Sequence, residues 1–477
     1  VAHMAGLLGL PSELLTGVCQ HLCLLDLARF AASCRLLRYG HLPMVEPPGE
    51  SPVATVLRKL SFRDGESVPH SLPTGSSESW VAYLARCVRQ RRCREASPIA
   101  ARHWHNLFVD AAGRSLACGR DVAKGHDGRH GCCAEPIPVA ALAGIPVRSV
   151  AAGPQYNLAL GWDGQVYSWG SNCFGQLGHG DNKERLLPAL VQGLQDICAI
   201  AAADQHSLAV TQSGDVLSWG RMFPYRQHLF DNVRFEGTKT PTIVEGFGGV
   251  RVRHVFAGEN AAFAIGEKGE LFSWGDGIHG CLGHGDTQAQ PSPKRVEALR
   301  GVRVVSVSMG HAQGYSHAIM LAEDGLVYTC GGNRAQEVLG NPHVEIELVP
   351  KPVEALRGVR VSSVAAAGER SYALAGTGEL WVWGSDDRQG SPPLGHGEPM
   401  NCPLPKQLEA LRGIKVDAIA AGDFHTLALA DDGSVHAWGD KFSAQIGALC
   451  SPHAMEHEYE MRTPQRVPML LRAACGL

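Results

Sequence analysis

A glycine, five residues and a second glycine, with tryptophan or cysteine just before the second, recur seven times along the chain. The pairs are Gly113/Gly119, Gly164/Gly170, Gly214/Gly220, Gly269/Gly275, Gly325/Gly331, Gly378/Gly384 and Gly433/Gly439. Successive second glycines stand 51, 50, 55, 56, 53 and 55 residues apart. So regular a period restricts the chain to repeat architectures, in which each unit is one supersecondary element that buries its apolar surface against its neighbours. Trp169, Trp219, Trp274, Trp383 and Trp438 fill the aromatic position, and Cys118 and Cys330 take it in the other two units.

Each unit reads as short strands joined by tight turns. An apolar run such as His206–Val210 or His425–Leu429 leads to Trp162-Asp163-Gly164 or Asp431-Asp432-Gly433, where Asp-Gly supplies the positive φ a hairpin needs. A second strand follows, Gln165–Trp169 or Ser434–Trp438, read as placing Val and Trp on the face opposite Tyr or His. Loops such as Gly175-Gln176-Leu177-Gly178-His179-Gly180 lead to a proline and a further apolar strand, as at Pro352–Leu356. A sheet this small cannot bury both faces alone, whereas seven arranged radially can, which makes a seven-bladed β-propeller. The chain has 56 glycines in 477 residues but only seven in the first 98, so the excess belongs to the repeat.

With Leu-Gly-His-Gly and Val-Tyr-Ser-Trp-Gly in one unit, the sequence resembles the regulator-of-chromosome-condensation repeat family, whose members form seven-bladed propellers. The resemblance assigns residues 97–477 to the propeller. Two units depart from the pattern: the third has Arg221-Met222-Phe223-Pro224-Tyr225-Arg226 in place of the Gly-Gln-Leu-Gly loop, and the seventh is longest between Gly439 and Pro464. A short insertion, His311 to Ser316, marks the fifth. Partners of propellers dock on such irregular loops, so Arg221, Tyr225, Arg226, His311 and Phe442 are the candidate substrate-binding residues. The last unit ends before another Ala-Ala-Gly strand, and Ser97–Ala101 supplies one, so residues 97–102 are expected to pair with the last blade and close the ring.

The first hundred residues have another character. Leu10-Pro11-Ser12-Glu13-Leu14-Leu15 reads as a helix start, with Pro suited to the first helical position and Glu13 to the positive end of the dipole. Leu14, Leu15, Val18 and Leu22 follow at helical spacing, and Asp26 caps a second helix carrying Leu27, Phe30, Ala31 and Cys34. This stretch resembles an F-box, the helical module that docks on the Skp adaptor of cullin–RING ubiquitin ligases, although Tyr39–Pro43 stands where that family usually shows a tryptophan. The resemblance implies a module at residues 5–42, with Leu10, Pro11, Leu14, Leu15, Val18, Leu22, Leu27 and Cys34 facing the adaptor. Residues 43–96 read as a linker. It includes an amphipathic helix at about 79–94, with Trp80, Tyr83, Leu84, Cys87 and Val88 on one stripe and arginines elsewhere.

Catalytic chemistry has no visible motif, whether nucleophile, phosphate loop or zinc-protease helix. His126, His130, Cys132 and Cys133 have metal-like composition but lack a second pair at zinc spacing, so no metal and no cofactor are expected. His105, His206, His317 and His425 precede the first glycine of their units by eight residues, and His179, His284 and His396 follow Leu-Gly; both sets suggest a structural hydrogen bond within each blade. The repeated tryptophans leave little from which to build a light-sensing cluster.

A net charge of −4 argues against a chain held mainly to nucleic acid, and no apolar run approaches the roughly 20 residues of a membrane helix. With scattered cysteines and no secretory signal pattern, a cytoplasmic or nuclear protein is expected. The two resemblances together imply a non-catalytic substrate-recognition subunit of a Skp–cullin–F-box ligase, the propeller holding a protein substrate. The alternative they leave open is nucleotide exchange on, or scaffolding of, a small GTPase or chromatin.

Overall fold

The computed structural model describes residues 98–110, 113–119, 133–222, 237–312, 315–333, 337–342, 344–386, 393–440 and 460–467. The helical readings at 5–42 and 79–94, including Leu10, Pro11, Leu14, Leu15, Val18, Leu22, Leu27 and Cys34, lie outside the described residues, as do His126, His130 and Cys132.

Among the described residues, twenty-eight strands form seven antiparallel sheets of four, each made of consecutive strands in sequence order. The first strands are β1 (Ile99–Arg102), β5 (Val147–Ala152), β9 (Ile197–Ala202), β13 (Val252–Ala257), β17 (Val304–Ala312), β21 (Val361–Ala367) and β25 (Val416–Ala421). Each touches the first strand of the next blade, and β25 touches β1, so the sheets close into a seven-bladed ring around these inner strands.

The glycine signature has a geometric cause. Gly164 turns the hairpin between the second and third strands of blade 2 at φ +79°. Gly170 lies opposite Tyr156 at φ +106°, where a Cβ would sit 2.4 Å from the Gln155 carbonyl oxygen and 2.6 Å from the Tyr156 Cα. The same pairing recurs in every blade, with second glycines opposite His105, Tyr156, His206, Ala261, His317, Arg370 and His425. The missing side chain on one strand leaves room for a large one on its neighbour.

The core lies between blades. Trp169, Trp219, Trp383 and Trp438 are fully buried and Trp274 nearly so. Trp169 packs with Leu107 and Ala117 of blade 1, whereas Val166 of the same strand packs with Leu177, Val191 and Trp219 toward blade 3. This corrects the expected face assignment. Pleating puts Tyr167 with Trp169, and Val166 looks the other way.

Two further expectations change. Pro352–Leu356 is not a strand: Pro352 ends a strand spanning Ile346–Pro352, and Glu354–Leu356 is a single 3-10 turn that buries Leu356. Nor do residues 98–102 pair with the last blade. Ile99–Arg102 pairs with His105–Phe108 of its own blade, and blade 7 has its own fourth strand, Glu460–Arg466. Outermost strands carry prolines such as Pro188, Pro241, Pro293, Pro350, Pro405 and Pro464, which withhold edge N–H groups from further pairing.

Candidate functional site

The side chains opposite the second glycines form an inner clasp from blade to blade. His105 Nε2 donates to Asn157 Oδ1 at 2.8 Å, joining blades 1 and 2. Tyr156 Oη lies 3.0 Å from Ser207 Oγ and donates to the His206 carbonyl at 2.6 Å, joining blades 2 and 3. His317 Nε2 donates to Ser371 Oγ at 3.0 Å between blades 5 and 6. Arg370 donates to Thr426 Oγ1 at 3.3 Å and to the Gly422 and Asp423 carbonyls at 2.8 and 2.7 Å, joining blades 6 and 7. His425 Nε2 donates to Asn106 Oδ1 at 2.5 Å and closes blade 7 on blade 1. These bonds run between blades, whereas one within each blade was expected. Two of the second histidine set fit the expectation, His179 donating to Ser168 Oγ at 2.9 Å and His284 to Ser273 Oγ at 3.0 Å within their own blades, whereas His396 Nε2 has no such partner among the described residues.

Burial keeps the clasp imidazoles neutral. It lowers His206 and His317 to about 4, and together with the nearby Arg370 charge it lowers His425 to about 3. Spaced around the ring, His105, His317 and His425 each bond to a neighbouring blade and act as structural pins, not as one converging site.

In a four-stranded meander, the turn between strands one and two and the connection between strands three and four share one end of the blade. That end gathers the polar groups not absorbed by packing. Arg102, at the end of β1, contacts Asp204 of blade 3 and holds its Nε 3.7 Å from Asp423 Oδ2 of blade 7. His103 Nδ1 is 2.7 Å from the same carboxylate. Burial alone would raise Asp423, but Arg102 and His103 override it and hold this carboxyl well below the usual range. For Arg102 burial works downward, and Asp423 and Asp204 outweigh it, so the guanidinium stays charged. His103 sits edge-on to Trp104 and to Phe424, with ring centroids 5.6 and 5.2 Å away. The ring is therefore closed at this end by ion pairs and aromatic contacts between blades 1 and 7.

Two of the sequence-predicted binding residues share this end. The His311–Ser316 insertion is an extension of the hairpin joining β17 to the next strand, Tyr315–Ala322, and its pairing His311↔Ser316 and Ala312↔Tyr315 leaves Tyr315 exposed. His311 lies between Glu259 Oε2 of blade 4, 2.7 Å from Nε2, and Ser316 Oγ, 2.8 Å from Nδ1. His279, one of three non-glycine residues with positive φ among those described, stacks on Tyr315 at 4.3 Å. Arg221 follows the third strand of blade 3, with its guanidinium 6.0 Å over the half-exposed Phe174 ring of blade 2. Tyr225, Arg226 and Phe442 lie outside the described residues. Sequence reasoning missed Arg102, Asp204, Glu259 and Asp423. Their signal was available, since Asp204, Glu259 and Asp423 fall in the turn after an inner strand, two residues before the glycine-opposed position, and Arg102 ends its inner strand three residues before it.

The fold and this end define the protein as a seven-bladed β-propeller offering charged and aromatic side chains around one mouth of its ring. Several of its units match the regulator of chromosome condensation (RCC1) repeat. Residues 163–210, 268–314, 324–374 and 377–429 match one description of that repeat, and 147–176 and 416–445 match a second. The chain is 32% identical over 316 residues to the human E3 ubiquitin-protein ligase HERC2, which covers 65% of this chain and 6% of that protein. It is 33% identical over 312 residues to the Arabidopsis thaliana ultraviolet-B receptor UVR8, covering 65% of this chain and 57% of the receptor. The chain thus spans less than two thirds of either relative. Among solved structures, human WBSCR16 matches with a TM-score of 0.62 at 23% identity, covering 75% of this chain and 94% of that one. Prp20p from Saccharomyces cerevisiae matches with a TM-score of 0.62 at 21% identity, covering 80% and 89%. No helix among the described residues is long and apolar enough to cross a membrane.

Proposed function

We propose that this protein is the substrate-recognition subunit of a Skp–cullin–F-box ubiquitin ligase, its N-terminal segment binding the Skp adaptor and the charged end of its propeller binding a protein substrate. The observation that carries the reading is the F-box-like run Leu10-Pro11-Ser12-Glu13-Leu14-Leu15 placed ahead of an RCC1-repeat propeller. Support comes from the repeat itself, which also occurs in a protein named as an E3 ubiquitin-protein ligase. Such a subunit does no bond chemistry. It raises the effective concentration of substrate lysines near the charged conjugating enzyme. Arg221, Tyr315 and His311 are the side-chain types that carry binding energy at protein interfaces or tune it electrostatically.

The test is co-elution of the full chain with the Skp adaptor on a sizing column. A stable complex is expected, and a Leu14→Asp, Leu15→Asp double variant should lose it while keeping the wild-type melting temperature. Absence of any complex refutes the proposal.

A second reading has its own observation. Prp20p, whose structural description concerns its binding to Gsp1p and histones, shares the fold. Under that reading the mouth engages a small GTPase or chromatin. Accelerated nucleotide release from Ran, with no adaptor binding, would favour it.

A further inference from the structure

We infer that blade 4 is the compliant sector of the ring, built to open locally while the other seams stay shut. The inner clasp runs through five of the seven seams and lapses at two adjacent ones, the two flanking blade 4. Blade 3 presents His206 with full burial, yet neither ring nitrogen has a hydrogen-bond partner among the described residues, because the facing position on blade 4 is Ala262. That position is Asn157, Ser207, Ser371, Thr426 or Asn106 wherever the clasp is made. Blade 4 then offers Ala261 where other blades place histidine, tyrosine or arginine, and blade 5 answers with Ala318, both fully apolar and buried. A buried imidazole without a partner is a cost to the closed seam, and two alanines contribute no bond to the next one.

What holds these seams is of a different kind. Between blades 3 and 4, Phe247 packs edge-on against Phe272 and Trp274 at 5.4 and 5.8 Å. Arg251 donates from a largely exposed position to the Ser213 and Gln212 carbonyls at 2.9 and 3.1 Å. Between blades 4 and 5, the buried thiol of Cys330 reaches the Cys281 carbonyl at 3.5 Å, and the solvent-facing pair His311–Glu259 spans the mouth. Thiols are weak donors and exposed ion pairs contribute little. The seam between blades 6 and 7 shows the contrast. Trp438 Nε1 lacks a partner there, but Arg370 and Tyr372 both reach Thr426, at 3.3 and 2.7 Å. Among the described residues, only the two seams beside blade 4 have no side-chain hydrogen bond from these positions.

Local opening follows the free energy of the contacts that must break. Strands β13 and Ala261–Gly266 of blade 4 therefore open more often than β5 and Tyr156–Gly161 of blade 2, or than β21 and Arg370–Ala375 of blade 6. Hydrogen exchange with mass spectrometry on the full chain reads this directly. The inner-strand amides of blade 4 are expected to exchange at least tenfold faster than those of blades 2 and 6. Equal or slower exchange in blade 4 overturns the inference.

A repair variant gives a second readout. Ala262→Ser introduces the residue this chain uses at the same position in blades 3 and 6, and Ala262→Asn the one it uses in blades 1 and 2; either gives His206 a partner. The variant that folds should slow exchange across the blade 3–4 seam about tenfold and leave blade 6 unchanged. A folded variant with wild-type exchange at that seam overturns the inference. If neither variant folds, the wild-type exchange map decides alone.

Discussion

His425 and His206 stand at the same place in two blades, both fully buried and both held neutral, and they differ in having a partner. His425 donates to Asn106 across the closing seam, whereas His206 faces Ala262. Replacing each by alanine removes the same atoms and leaves a similar cavity, so the volume terms largely cancel in the comparison. What remains is the bond. His425→Ala loses one net hydrogen bond of about 1 kcal/mol together with one unpartnered nitrogen, Nδ1, while His206→Ala removes two buried nitrogens that had no partner. With roughly 1–3 kcal/mol for each unsatisfied buried group, the two variants should differ by about 3 kcal/mol, His425→Ala being the less stable. An unfolding entropy of about 2.1 cal/mol/K per residue over the 370 residues from 98 to 467 amounts to roughly 0.8 kcal/mol/K, so the melting temperatures should differ by about 4 °C. Calorimetry on the two variants at pH 7.5 reads the difference. Equal melting temperatures, or a greater loss for His206→Ala, would refute the idea that the clasp bonds contribute to stability.

Acid should weaken the ring through the same residues. The folded-state values of about 4, 4 and 3 for His206, His317 and His425 lie below the unfolded value near 6.5, so the unfolded chain takes up protons first as pH falls. The stability from neutral imidazoles is fully present above about pH 6.5 and drains away between there and pH 4; a melting temperature unchanged from pH 7.5 to pH 5 would contradict this. Two glycines separate strain from collision. Gly170→Ala drives a Cβ into the Gln155 and Tyr156 backbone and should cost about 3 kcal/mol or more. At Gly193, with φ +80° and nothing within 4 Å of its Cβ, the same change should cost about 1 kcal/mol, denaturant titration distinguishing the two. His311→Ala breaks a half-exposed pair with Glu259 and a hydrogen bond with Ser316 and should shift the melting temperature by less than about 3 °C. In a pull-down it should nevertheless reduce capture of the propeller's partner.

The seven blades were legible because their turns demand glycine at fixed spacing, and that demand is local. The errors arose where the outcome depends on a neighbour. Whether Trp169 faces blade 1 or blade 3 follows from pleating along five residues, yet the sequence reading grouped Val166 with it. The strand expected to lace the ring shut belongs to its own blade, because blade 7 already has four strands. The clasp was half visible as a histidine eight residues before a glycine. Its acceptors, Asn157, Ser371 and Asn106, sit one residue past the equivalent position in the following blade, a relation that no single unit displays. The mouth was least legible, since Arg102, Asp204 and Asp423 are 102 to 321 residues apart in sequence and meet only when the ring is complete.

Closure by side chains, as seen among the described residues, also orders events during synthesis. Clasp partners at the seams within the chain are 50 to 56 residues apart, so each blade meets its neighbour as soon as the next unit leaves the ribosome. His425 and Asn106 are 319 residues apart. At about 5–20 residues per second, the exposed flank of blade 1 waits roughly 15–60 s for its partner. Joining ends that distant costs only about 1.6 kcal/mol more loop entropy than joining a pair 52 apart. The thermodynamic burden of shutting the ring last is therefore small, and its hazard is kinetic: a nascent propeller carries an open apolar flank, formed by Phe108, Leu116 and Cys118 on the Asn106 face of blade 1, until the final repeat is made.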